Sequence, residues 1–273
     1  MRATDSDKRS VHVERVAEAG ATAAFARFRS GIETEIKGDA SVVTAGSVVS
    51  EADRKAQQAC LEAIADLFPE DTVIAEEGSA PKTVPEDGIA WVVDPIDGTY
   101  NFVRGLPAWA SAVAVVEDGA PAAAATVAPA VEERYHTAEE SVRLNGSPVG
   151  VSGRTDPASF AIAYAVVPAL GSRGAYASGV AGLIEQFGET RRIGSLQLAL
   201  ARVAAGRMEG VVTPASISPW DSAGGVGMVR AAGGIVTDLQ GEAWQLDSQG
   251  LIASNGAAHD HLLAVAQRMA ARD

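Results

Sequence analysis

The stretch Trp91-Val92-Val93-Asp94-Pro95-Ile96-Asp97-Gly98-Thr99-Tyr100-Asn101-Phe102 carries the reading of the whole chain. Ile89 to Val93 is an apolar run of strand length and reads as a buried strand. Pro95 fixes its own φ and removes a backbone donor, so the strand is expected to stop there at an acidic turn. Asp94 and Asp97 stand on either side of Pro95 and Ile96. A tight turn of that spacing aims both carboxylates and the Ile96 carbonyl into one small volume. Gly98 lets a ligand approach the backbone closely. Thr99 to Phe102 can open a helix whose first free amides face the same volume.

Two carboxylates this close repel each other unless a cation sits between them. Hard oxygen ligands with no Cys or His nearby favour Mg²⁺ or Mn²⁺ over Zn²⁺. Helix amides add donors for phosphate oxygens. A bare Asp-x-x-Asp also suits an Asx-type turn in which both aspartates only cap backbone. The full string goes further than the bare pair. At every fixed position it resembles the first signature of the inositol monophosphatase family, Asp-Pro-Ile-Asp-Gly-Thr-x-Asn-Phe.

A second string lies downstream. Val211 to Thr213 ends a strand, Pro214 to Pro219 is a loop, and Trp220-Asp221-Ser222-Ala223-Gly224-Gly225 opens a helix running through Ala232 to Gly233-Gly234. Read alone, Asp221 is an N-cap. The string resembles the family's second signature, Trp-Asp-x-Ala-Ala-Gly, with Gly224 where the family usually has alanine. That change costs about 1 kcal/mol of helix propensity and does not touch the carboxylate. With both signatures in family order and spacing, the chain is identified as a member of the inositol monophosphatase family.

Composition sets the outer bounds. The chain has 273 residues, 47% hydrophobic and 21% charged, which suits a globular fold with a sizeable core. No apolar run reaches the roughly 20 residues a bilayer span needs, and Met1 to Ser10 lacks a signal peptide's apolar centre. A single cysteine, Cys60, forbids an intrachain disulfide and fits a reducing cytoplasm. The net charge of −13 argues against nucleic-acid or anionic-membrane partners. It would also repel a phosphate ester, unless bound cations reverse the sign locally.

Along the chain, Val11 to Arg29 reads as an amphipathic helix. Ser30 to Ser50, with Lys37 in it, reads as a β-prone hairpin or loop. Ser50-Glu51-Ala52-Asp53 precedes a second helix, which runs to about Phe68. Asp71 to Ala75 is a short strand candidate, and Glu76-Glu77-Gly78 a loop of paired acids. Strands at Ala110 to Glu117 and Ala122 to Val127 are joined by Asp118-Gly119, and Asn145-Gly146 marks another hairpin. After residue 150 the order becomes strand, helix, strand, helix: Phe160 to Val166, Tyr176 to Gln186, then Leu196 to Ala205 after Gly194-Ser195. Ser195 has the chemistry of an N-cap.

The resemblance implies the rest. It implies an α-β-α-β-α sandwich of α/β (α+β) class, with an antiparallel-rich first sheet and a mixed second sheet. One catalytic domain would span 1–273, in halves of about 1–153 and 154–273. Metal ligands would be Glu76, Asp94, the Ile96 carbonyl, Asp97 and Asp221, holding two or three Mg²⁺ ions, with Mn²⁺ an alternative. Asp53, Glu76 and Thr99 would be catalytic, Thr99 orienting or deprotonating a water. Asp97, Gly98, Thr99, Gly194, Ser195 and Asp221 would bind substrate. The implied activity is hydrolysis of a small phosphate monoester, inositol 1-phosphate or fructose 1,6-bisphosphate. The alternatives are 3′-phosphoadenosine 5′-phosphate, histidinol phosphate, or a non-catalytic metal- and phosphate-binding protein. Inhibition by Li⁺, a homodimer and a cytoplasmic location are implied as well. Inositol-specific members carry a glutamate shortly before Trp-Asp. Thr213 to Pro219 contains no acid, and Glu209 stands early for that role.

Overall fold

The computed structural model describes residues 5–30, 34–36, 48–138, 141–166 and 174–270. The chain opens with α1 (Asp5–Ser10) and α2 (Val13–Phe25). Two short antiparallel strands follow, β1 (Thr34–Ile36) and β2 (Val48–Ser50). Lys37 falls between them, outside the described residues. Next come α3 (Glu51–Ala65), β3 (Thr72–Ala75), β4 (Ile89–Asp97) and α4 (Thr99–Val103). Strands β5 (Ala110–Glu117), β6 (Ala120–Ala128), β7 (Glu133–Ala138), β8 (Ser141–Leu144) and β9 (Ser147–Val149) form a meander.

Together β3 to β9 make one seven-stranded sheet in sequence order, parallel only between β3 and β4. The two dipeptide turns behave as read. Asp118 and Gly119 sit at φ 49° and 76°, Asn145 and Gly146 at 50° and 82°, the positive values a type I′ hairpin requires.

The second sheet draws on β10 (Ala161–Tyr164), β11 (Glu189–Arg191), β12 (Gly210–Thr213), β13 (Ile235–Thr237) and β14 (Leu251–Ser254). Its order is β11-β10-β12-β14-β13, with parallel pairs around β10 and antiparallel pairs around β14. The helices here are α5 (Gly174–Gln186), α6 (Leu196–Ala204), α7 (Pro219–Ala231) and α8 (His259–Ala270).

Side-chain alternation along the strands builds the layers. Trp91, Val93, Val113 and Val115 pack with Val16 of α2 and Ile64 of α3. Their neighbours Val92, Ala114 and Val116 pack on the opposite face with Leu198 of α6 and Val226 of α7. That same cluster takes in Val211, Leu251 and Ala253 from the second sheet. The outer face of the second sheet, with Ile162, Val212 and Ile252, is covered by Leu183 of α5 and Val265 of α8. The order is therefore helix, sheet, helix, sheet, helix, the sandwich expected from the resemblance.

Some boundaries differ from expectation. The first long helix ends at Phe25, and Arg29 lies at φ 63°, outside helical space. The second starts at Glu51 and ends at Ala65. The largest correction concerns β4. It does not stop at Pro95 but runs on to Asp97.

Candidate metal centre

The continuation of β4 is irregular, and the irregularity places the acids. Between the pairs Asp94–Ala112 and Asp97–Ala110, β4 advances three residues while β5 advances two. The extra residue is a β-bulge. Pro95 sits inside it, where a missing N–H removes no ladder bond. In an unbroken strand, residues three apart face opposite sides of the sheet. The bulge cancels that alternation and turns both Asp94 and Asp97 to the α6–α7 side. Ile96 turns the other way and packs with Ala52, Phe102 and Trp109.

Asp94 is 1% exposed, and neither of its carboxylate oxygens has a hydrogen-bond partner. One ligand atom each from Asp94, Asp97 and Asp221 lie within 4.8 Å of one another. Burial, then the negative charges of Glu76, Asp97, Asp221 and Asp53, push the Asp94 carboxyl well above its ordinary range. Leaving a buried polar group unpaired costs about 1–3 kcal/mol, and more for a charged one. Two orphaned oxygens facing other acids have the chemistry that suits a hard divalent cation.

Asp97 faces the same cluster but has other bonds. Its Oδ2 accepts from the Ser195 hydroxyl at 2.5 Å and the Gln197 amide at 2.6 Å, and its Oδ1 from the Leu196 amide at 3.1 Å. The carboxylate thus closes the first turn of α6 from across the domain. Ser195 is the N-cap, its hydroxyl accepting from the Leu198 amide at 3.2 Å. Burial pushes the Asp97 carboxyl up to about 6, against the pull of Ser195 and the α6 amides.

Asp221 is not the cap that the sequence suggested. α7 begins two residues earlier, with Ser218 at the cap and Pro219 at the first helical position, where proline's fixed φ suits a helix start. Asp221 lies within the first turn. Glu76 sits outside the 4.8 Å group, in the loop after β3, and weighs more on Asp94 than any other single charge. Thr99 Oγ1 lies 3.2 Å from Asp53 Oδ1 and 3.0 Å from the Ile96 carbonyl, so its one proton has two acceptors. Asp53 is fully buried on α3.

Gly98 is left-handed, at φ 91°, and a Cβ there would come 2.9 Å from the Gly194 carbonyl and 3.2 Å from Ser195 Cβ. The Asp97–Gly98 corner and the Gly194–Ser195 corner are therefore in contact. Asn101 fastens them, its amide donating to Ala108 O at 2.6 Å and Ile193 O at 2.9 Å.

Residues beyond those singled out from sequence hold the acids in place. The Gln57 side chain pairs with both backbone groups of Glu77, at 2.7 and 3.0 Å. Lys82 Nζ donates to the carbonyls of Ala75 and Glu76, at 2.6 and 2.7 Å, and stands 5.3 Å over the Trp220 ring. Neither residue lies in either signature. Glu209 is elsewhere: it is buried against the Ala161 amide at 2.7 Å and Arg154 at 3.2 Å.

The profile of the inositol monophosphatase family matches residues 9–271. The chain belongs to that family. A fructose-1,6-bisphosphatase/inositol-1-monophosphatase of Thermotoga maritima is 37% identical over 223 residues, 80% of this chain and 82% of the relative. A histidinol-phosphatase of Mycobacterium tuberculosis is 34% identical over 224 residues, 79% of this chain and 83% of the relative. The solved structure of a Thermotoga maritima IMPase matches with a TM-score of 0.83 at 29% identity, covering 96% of this chain and 97% of that one. Membership makes the chain a phosphoric monoester hydrolase acting on a small phosphate ester, in a family that depends on metal. Among the described residues, no helix is long and apolar enough to cross a membrane.

Proposed function

We propose that this inositol monophosphatase family member is a Mg²⁺-dependent phosphatase of inositol 1-phosphate, fructose 1,6-bisphosphate or both. The observation that carries the metal is Asp94, fully buried with both oxygens unpartnered and acids on several sides. Asp94, Asp97, Asp221, Glu76 and the Ile96 carbonyl would hold the ions. Bound divalent cations supply the positive charge that offsets the phosphate and lowers the pKa of a bound water. The Thr99 proton goes to Asp53 or to the Ile96 carbonyl, and either bond leaves the Thr99 oxygen as an acceptor that orients the attacking water. The amides of Gly98 and Thr99 are donors for phosphate oxygens, and the Gly194–Ser195 backbone forms the facing wall. Halves 1–153 and 154–273 act as one catalytic domain, since Asp94 and Asp97 come from the first and Asp221 from the second.

The acid-free segment Thr213 to Pro219 favours a site that accepts more than one alcohol, fructose 1,6-bisphosphate included. Histidinol phosphate is the second reading, supported by the 34% identical histidinol-phosphatase. Inhibition by Li⁺, a homodimer and a cytoplasmic location complete the proposal. The test is Mg²⁺-dependent phosphate release from inositol 1-phosphate, fructose 1,6-bisphosphate and histidinol phosphate. Release from none of these esters, with Mg²⁺ or Mn²⁺ present, overturns it.

A further inference from the structure

One residue outside the acid cluster is bonded to the carriers of two of its members. Gln197 is 1% exposed, in the first turn of α6. Its backbone amide donates to Asp97 Oδ2 at 2.6 Å. Its side chain reaches across to α7 and makes two more bonds. Nε2 donates to the Trp220 carbonyl at 2.5 Å, and Oε1 accepts from the Gly225 amide at 2.7 Å. Trp220 immediately precedes Asp221, and Gly225 lies one turn beyond it. A single side chain thus brackets Asp221 while its own backbone holds Asp97.

The same amide gives a reason for Gly224. A Cβ at position 224 would stand 3.3 Å from Gln197 Oε1 and 3.6 Å from Ala124 Cβ. The first distance is tighter than an ordinary carbon–oxygen contact, so an alanine would press on the amide oxygen that Gly225 uses. Glycine is a poor helix former. In exchange, α7 can approach the Gln197 amide closely.

We propose that Gln197 is a positioning residue that sets Asp221 against Asp97 for divalent-cation binding, and that Gly224 is glycine to admit its side chain. This rests on the phosphatase reading for the identity of the cation site. It does not require Gln197 to touch metal or substrate. Residues that orient metal ligands typically change affinity or activity by about 10- to 100-fold when removed.

The experiment is a double-mutant cycle on the full chain with Gln197→Ala, Gly224→Ala and the double variant. Mn²⁺ affinity is read by calorimetry, and the unfolding midpoint is read separately in chelator. Gln197→Ala is expected to weaken Mn²⁺ binding by about tenfold or more. Gly224→Ala is expected to weaken it several-fold alone and not at all once Gln197 is alanine, because the crowded amide is gone. If Gln197→Ala does not fold, Gln197→Met keeps the packing, loses the bonds and carries the same expectation. Affinity within twofold of the parent overturns the proposal, even if the unfolding midpoint drops, since that is a purely structural residue. An additive cycle overturns the link to Gly224. A parent protein that binds no Mn²⁺ overturns this inference and the reading beneath it. One that binds Mn²⁺ but releases no phosphate overturns the phosphatase reading alone, and the cycle still decides the role of Gln197.

Discussion

Replacing Asp94 with asparagine should make the metal-free protein more stable and the metal-loaded protein weaker. The reasoning starts from a buried carboxyl with unpartnered oxygens, raised by burial and by surrounding acids. At an effective dielectric of about 20, two unit charges 4.8 Å apart repel by about 3.5 kcal/mol. Asp94 faces Asp97 and Asp221 within that distance. Proton uptake relieves part of the strain in the parent protein, so Asp94→Asn should recover about 1–3 kcal/mol. For a chain of 273 residues that is a rise in melting temperature of about 2–5 °C. Differential scanning calorimetry in chelator reads it directly. With Mg²⁺ at about 100 times its dissociation constant, the parent gains about 2.7 kcal/mol by mass action, and the variant should gain little of it. Phosphatase turnover should fall by about 10²–10³-fold. A variant that melts at or below the parent in chelator, or that Mg²⁺ stabilises as much as the parent, refutes the argument.

Three other expectations rest on separate features. Thr99→Ala should lower kcat by about 10²-fold or more, while the Mg²⁺ dissociation constant stays within a few-fold, as a proton-handling residue requires; a parallel loss of both would contradict that role. Burial pushes the Cys60 thiol up to about 12, so a thiol-specific chromogenic reagent at pH 8 should label it only after denaturant is added. Asp71 is desolvated, but bonds from Arg9 and Trp91 outweigh that and hold its carboxyl below the ordinary 3.8. The folded state then binds fewer protons than the unfolded chain, so this stabilisation is present above about pH 4 and lost as the pH falls through the depressed value. Asp71→Asn should flatten that acid limb of the unfolding curve, and an unchanged limb would count against the pairing.

Much of this was legible because it was local. Asp118-Gly119 and Asn145-Gly146 demand positive φ whatever surrounds them, and both hairpins form. The β4 core is a short apolar run, Ile89 to Val93, whose length and β-branched and aromatic residues suit a buried strand. The acids Asp94, Asp97 and Asp221 were named from two strings, and they come together in space. What escaped depends on distant partners. Pro95 reads as a strand end, yet pairing with β5 carries β4 past it through a bulge. The start of α7 at Pro219 moves Asp221 from cap to first turn. β11, β13 and β14 are three or four residues long and are defined by neighbours, whereas α8 carries its own helical period in Leu262, Val265, Ala266 and Met269. Gln197 looks like any residue of an apolar helix, and nothing near it in sequence announces that its amide spans to Trp220 and Gly225.

The two carriers of the acid cluster lie far apart along the polypeptide: Asp94 and Asp97 on β4, Asp221 on α7. During synthesis, more than four-fifths of the protein has to emerge before Asp221 can join the others. A nascent fragment ending before Pro219 lacks a third of that triad, so the proposed cation capture would come late and would report that Asp221 has docked against β4. Cellular magnesium would then reward only finished molecules, and chelation would selectively loosen the joint between the halves.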